Sequence, residues 1–156
     1  MHPPILTLVE VIRKNAKPGM VVAEIGVWEG DTSIYYLPII KENQGKFIAV
    51  DWFCGNTNAS GYHAYLPDNA DIVYGNLVTN IKNLECSELS TIIRGDSVEM
   101  AANIPDASLD ICFIDANHSY DGCKRDILAY LSKVKGGGII CSHDCEDIKL
   151  ANTFQP

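Results

Sequence analysis

Residues 21–30, VVAEIGVWEG, constrain the fold more than any other stretch of the chain. A short apolar run ends at Glu24-Ile25, and two glycines, Gly26 and Gly30, stand four apart after it. The pattern predicts the first parallel strand of an α/β sheet breaking into a glycine-bent loop, with a helix opening near Asp31 or Thr32. Glycine has no Cβ, so such a loop lets backbone pass close to a ligand. It is not the dinucleotide fingerprint. Glu24 stands where the first glycine of G-x-G-x-x-G belongs, and three residues separate Gly26 from Gly30. Nicotinamide chemistry is disfavoured on that ground.

The same unit recurs along the chain. Ile5 to Lys14 has apolar residues at 5, 8, 9 and 12, one helical face, and Pro18-Gly19 ends it. A helix is expected over 31–41, kinked or shortened at Pro38, which lacks an N–H. The second strand spans 46–50 and ends at Asp51, 25 residues beyond Gly26. That distance takes the chain down a helix and up a neighbouring parallel strand, where an acidic residue can accept ribose hydroxyls or simply cap a turn. Residues 52–73 are irregular, with Tyr62, His63 and Tyr65 together, and read as either a substrate-binding loop or a surface excursion. Helical spacing resumes over 74–84. A third strand, 91–94, leads into Gly95-Asp96-Ser97, where Asp96 either caps the next helix or lines a pocket.

Leu109 to Ile114 is an apolar run, as in a strand covered on both faces. It ends at Asp115. A helix over 120–132 turns Cys123, Ile127, Tyr130 and Leu131 to the sheet, Gly136-Gly137-Gly138 makes a turn, and a fifth strand, 139–142, ends in His143-Asp144. Strand tips at 25, 50, 94, 114 and 142 call for a doubly wound, mainly parallel Rossmann-like α/β sheet with ligands over its carboxyl ends.

A chain of 156 residues suffices for one domain, 1–156. Its net charge of -8, with only 12 basic residues, argues against a nucleic-acid partner. No apolar stretch reaches membrane-spanning length, and no basic region precedes the N-terminal apolar residues, so neither a membrane span nor a signal peptide is expected. The six cysteines include no CxxC pair, and Cys112 and Cys141 fall in expected core strands. Reduced thiols in a cytoplasmic protein are the expectation.

Glu24, Asp51, Asp96, Asp115, His118, His143 and Asp144 all fall at or just beyond strand tips. The first three would share one side of a rim and the other four the opposite side. Asp115 and Asp144, on adjacent strands, would repel one another unless a cation, a proton or a histidinium lay between them. The site is then either metal-filled or balanced by His118 and His143.

The run FIDANHSYDGCKRDILAYLSKVKGGGIICSHD, with RGDS at 94–97 and the E-x-G-x-x-x-G opening, resembles methyltransferase domain family 24 of the class I S-adenosylmethionine-dependent methyltransferases. The likeness covers roughly residues 20–146. It implies S-adenosylmethionine as cofactor, with Glu24, Gly26 and Gly30 at its methionine end, Asp51 at the ribose and Asp96 near the adenine. It implies methyl transfer, with oxygen of a small polar molecule as the expected acceptor and Asp115, His118, His143 and Asp144 as catalytic candidates. Related metal-dependent O-methyltransferases place Mg²⁺ ligands where Asp115 and Asp144 stand, although the next position, often Asn or Asp, is Cys145 here. The superfamily continues with two more strands, for which the twelve residues after Asp144 are too few. The expected sheet therefore lacks the usual C-terminal strands, and a partner copy in a homo-oligomer is one way to supply that edge. A degenerate cofactor-binding or protein-interaction module is the alternative reading.

Overall fold

The computed structural model describes residues 3–55 and 65–143. Five strands, β1 (Val21–Ile25), β2 (Lys46–Asp51), β3 (Ser90–Arg94), β4 (Leu109–Ile114) and β5 (Val134–Ser142), form one parallel sheet in the order β3-β2-β1-β4-β5. The helices are α1 (Pro3–Lys14), α2 (Ser33–Glu42), α3 (Ala70–Asn83), α4 (Ser97–Met100) and α5 (Tyr120–Leu131). The doubly wound α/β expectation is met. Strand order reverses between β1 and β4, which opens a crevice at their carboxyl ends.

Period-two alternation sorts the strand residues into two cores. Val22, Phe47, Ala49, Ile111 and Phe113 pack with Leu8, Ile12, Tyr36, Leu37 and Leu77 on one face. Ala23, Ile25, Val50, Cys112 and Ile114 pack with Ala101, Ile104 and Tyr130 on the other. All six residues of β4 are buried, as its apolar run predicts. At the opposite end of the sheet from the crevice, buried Asp110 ties three elements together. It pairs with Lys17 at 2.7 Å and Lys135 at 2.8 Å and accepts the Val21 N–H at 2.8 Å.

Four local expectations change. The second helix begins at Ser33 and runs through Pro38, forgoing the bond that residue 38 would give to the Ile34 carbonyl. Burial of Tyr36, Leu37, Ile39 and Ile40 offsets that loss. The third helix starts at Ala70 rather than residue 74, after a 3₁₀ turn at Pro67–Asn69 in which proline supplies the first helical φ. The three glycines lie inside β5, not in a turn before it. Leu109 pairs Val134 while Ile111 pairs Ile139, so the extra residues bulge out of register. Gly137 has φ +80°, and a Cβ on Gly138 would stand 2.7 Å from Val134 Cγ1. Leu131, expected against the sheet, is 56% exposed, because Tyr130 takes the buried position beside it.

The five described cysteines are free thiols. Among the described residues no helix is long and apolar enough to cross a membrane.

Candidate functional site

Backbone hydrogen bonds carry the parallel ladder one residue past each strand tip and so align a rim. Gly26 N–H donates to Val50 O at 2.8 Å, Gly95 N–H to Asp51 O at 2.9 Å, Asp115 N–H to Ile25 O at 2.7 Å, and His143 N–H to Ile114 O at 3.2 Å. Above this rim lies a cavity of about 410 Å³, inside the roughly 300–1,000 Å³ span of small-molecule sites. Glu24, Gly26, Asp51, Asp96, Asp115, His118 and His143 all line it. Gly30 does not. Asp144, like Tyr62 and His63, lies outside the described residues.

Glu24 follows Val22 onto the α2 face of β1 and is fully enclosed. Its Oε2 accepts both the Ser33 and the Tyr36 hydroxyls. Burial pushes its carboxyl up to about 8 against the lowering effect of those two hydroxyls, with Asp115 and Asp51 adding repulsion. Glu24 is thus a neutral acid near pH 7 that anchors α2 beneath the cavity.

The glycines answer first to the protein. A Cβ on Gly26 would stand 2.3 Å from the Asp115 carbonyl oxygen, because the segment leaving β4 crosses directly over it. Gly30 sits against Leu77 Cδ1, 2.7 Å from where a Cβ would be. Both have positive φ, +86° and +84°, which favours glycine independently of space.

Asp51 joins the two loops that form the cavity's near wall. Its Oδ2 accepts the Trp28 N–H at 2.7 Å and its Oδ1 the Phe53 N–H at 2.6 Å. Trp28 and Phe53 both adopt left-handed backbone, φ 50° and 63°, a conformation bulky residues avoid unless held. Burial raises the Asp51 carboxyl despite backbone N–H groups from Trp28, Phe53, Trp52 and Val27 that oppose the shift. Asp96 caps α4, its Oδ1 accepting the Val98 and Glu99 N–H groups at 3.0 and 3.2 Å.

Asp115 gathers two histidines. Its Oδ1 lies 3.3 Å from His118 Nε2 and 3.8 Å from His143 Nδ1. Among the described residues no group of three or more His, Cys, Asp or Glu side chains is arranged so that it could hold a metal ion.

The family model of the methyltransferase domain, family 24, matches residues 23–145. The chain belongs to this family. No curated protein matches this methyltransferase domain in sequence. Solved structures share its fold at low identity. An rRNA methylase from Streptococcus thermophilus superposes with a TM-score of 0.67 at 10% identity, over 98% of this chain and 79% of that one. A Staphylococcus aureus protein to which caffeoyl-CoA O-methyltransferase activity is ascribed gives 0.65 at 18%, over 91% and 57%. A SAH-bound Podospora anserina methyltransferase gives 0.62 at 15%, over 88% and 50%. The present chain therefore spans about half the length of the staphylococcal and fungal proteins.

Sequence reasoning assigned neither Asp31, read only as a helix start, nor Asp126 to the site of this methyltransferase domain, and both line the cavity. Asp126 of α5 is buried. The signal was available: position 126 lies three residues after Cys123 and four before Tyr130, on the stripe that faces the sheet, where a charged residue is out of place.

Proposed function

We propose that this domain transfers a methyl group from S-adenosylmethionine to an oxygen of a small polar molecule. The observation that carries the reading is a single cavity that brings the β1, β2 and β3 tips to the Asp115–His118–His143 cluster. Its lining favours a cationic ligand: Asp31, Asp51, Asp96, Asp115 and Asp126 stand against one arginine, Arg125. When bound, S-adenosylmethionine supplies an electrophilic methyl on a sulfonium.

The chain's own residues have three tasks. Asp51 uses its remaining lone pairs to accept ribose hydroxyls, while Gly26 brings backbone to the methionine end and Asp96 borders the adenine side. The backbone around Asp115 and His143 orients the acceptor, which converts an encounter into an aligned displacement. His118 or His143 takes the proton of the acceptor hydroxyl. Asp115, beside both rings, stabilises the imidazolium that results. In a metal-assisted variant Asp115 and Asp144 would hold Mg²⁺, both being oxygen donors suited to a hard cation.

The test is calorimetric titration with S-adenosylmethionine, S-adenosylhomocysteine and NAD, followed by methyl transfer over a panel of hydroxyl acceptors with and without EDTA. Binding of the two sulfur ligands but not NAD, with turnover, is expected. Binding without turnover on any acceptor would favour the degenerate binding module. Activity lost on chelation and restored by Mg²⁺ would establish the metal-assisted variant.

A further inference from the structure

The two edges of the sheet are unequal. β3 is five residues long, has a polar residue at each end and closes on Arg94, which pairs with Asp71 at 2.6 Å. β5 is nine residues long, and among the described residues no strand lies beyond it. None of its residues is fully buried, whereas all six of its neighbour β4 are. Its first half bulges out of register around the glycines, and Lys135 there turns to Asp110, devices that blunt an edge. Its second half, 139–142, keeps regular pairing with β4, carries no charge and reads Ile-Ile-Cys-Ser.

An apolar helix flank lies beside the same edge. Asp126 and Tyr130 both reach Ser97, which marks the side of α5 that faces α4. Ile127 packs on the core beneath α5. At about 100° per residue, Tyr120, Lys124, Leu128 and Leu131 fall past Ile127, on the side turned away from α4. Because α4 follows β3 and α5 links β4 to β5, that side looks out past β5. Tyr120, Leu128 and Leu131 are 52%, 64% and 56% exposed, three large apolar side chains in one stripe rather than scattered singly.

We propose that a second copy of this chain covers this surface, with the two β5 strands paired antiparallel over 139–142 about a two-fold axis normal to the sheet. An antiparallel edge is self-complementary, since opposed residues exchange both hydrogen bonds, so two identical edges match. That axis keeps both α5 helices on one face and lays them antiparallel. Full overlap then sets Tyr120 of one copy beside Leu131 of the other, and the stem of Lys124 beside Leu128. The stripe carries Lys124 with Asp121 at its border and is close to neutral, on a chain whose net charge of -8 opposes contact elsewhere. Its size suffices: a strip about 20–30 Å long and about 20 Å deep projects roughly 400–600 Å², which side-chain relief raises toward the ~800 Å² per partner of a stable interface. His143 directly follows β5, so the contact abuts the histidine side of the cavity.

The experiment is sedimentation equilibrium of the full chain from about 1 to about 100 μM, read beside amide hydrogen exchange. Wild type should approach twice its monomer mass of 17.1 kDa, with the amides of 139–142 protected in the dimer. The double variant Leu128→Glu, Leu131→Glu changes only exposed side chains and should weaken the dimer by about 100-fold or more. Ile72→Glu, on α3 and equally exposed, should leave it unchanged. A dimer that survives the double variant, or that Ile72→Glu breaks instead, overturns the interface. Wild type that stays monomeric throughout, or a dimer with unprotected 139–142, overturns the inference without any variant, so it stays decidable even if the double variant does not fold. Protection of 139–142 in a monomer would assign the edge to residues 144–156 instead of a second copy.

Discussion

The carboxylate of Asp51 accepts the backbone N–H of Trp28 at 2.7 Å, and so fastens the tip of β2 to the glycine loop after β1. Its second oxygen holds Phe53, and both aromatic residues are left-handed. The residue that spacing assigns to a ribose is therefore also the clamp that keeps two strained loops in place.

Asp51→Ala should lower S-adenosylhomocysteine affinity by roughly 1–3 kcal/mol and also lower Tm, because both loop N–H groups lose their acceptor. Asp51→Asn retains one acceptor oxygen and should lose less stability. Calorimetry beside thermal melting checks both. Wild-type affinity in a folded Asp51→Ala protein would remove Asp51 from the ribose.

Asp115→Asn separates chemistry from binding. It keeps the shape that packs over Gly26 but removes the charge that faces His118 and His143. Transfer should fall by about 10²–10⁴-fold, the usual worth of general acid–base assistance. Affinity for S-adenosylhomocysteine should stay within about twofold if, as proposed, the residue serves the acceptor and not the cofactor. Undiminished turnover would sink the catalytic assignment.

Glu24 predicts an unusual pH dependence of stability. Its carboxyl lies at about 8 in the fold against 4.5 when free, so the folded state holds the proton more tightly. The contribution is full below the lower value and is lost as pH rises toward the upper one, by up to about 1.4 kcal/mol per pH unit. Denaturant unfolding on either side of that window should show wild type weakening with pH relative to Glu24→Gln. Parallel stability curves for the two proteins would contradict it.

The two loop glycines should differ in tolerance. Gly26→Ala drives a Cβ into the backbone of Asp115 and should cost about 2–5 kcal/mol. At Gly30 the obstruction is the end of the Leu77 side chain, which can turn away, so Gly30→Ala should cost less. Equal losses in denaturant unfolding would show that backbone conformation, and not the crossing of Asp115, decides both.

The fold was legible because apolar runs at 21–25, 46–50 and 109–114 alternate with helical spacing, the first breaking at Gly26 and the other two at Asp51 and Asp115. Asp51, Asp115, His118 and His143 were legible for the same reason, since a strand tip fixes where its side chain arrives. What stayed hidden depends on partners distant in the chain. Glu24 reads as a cofactor anchor on the rim, and nothing local announces that Ser33 and Tyr36 close over it. Gly26 reads as a place where backbone approaches a ligand, and the sequence does not show that the Asp115 backbone also stands where its Cβ would be. The start of α3 was missed because Pro67-Asp68-Asn69 looks like loop and serves as a first turn. Asp126 was missed because it interrupts an apolar stripe without forming any local motif.

The strand order also has a consequence for how the chain is born. Because β1 pairs with both β2 and β4, the centre of the sheet cannot be completed by the first three strands. As the polypeptide leaves the ribosome, β1, β2 and β3 can zip together once residue 94 has emerged, yet β1 then offers a bare row of amides and carbonyls. That row is the future middle of the protein, apolar on both sides and open to any other nascent strand until residues 109–114 arrive. The stretch between Arg94 and Leu109 therefore sets a waiting time during synthesis, and codons that slow it would prolong the interval in which this protein is most exposed to misassembly.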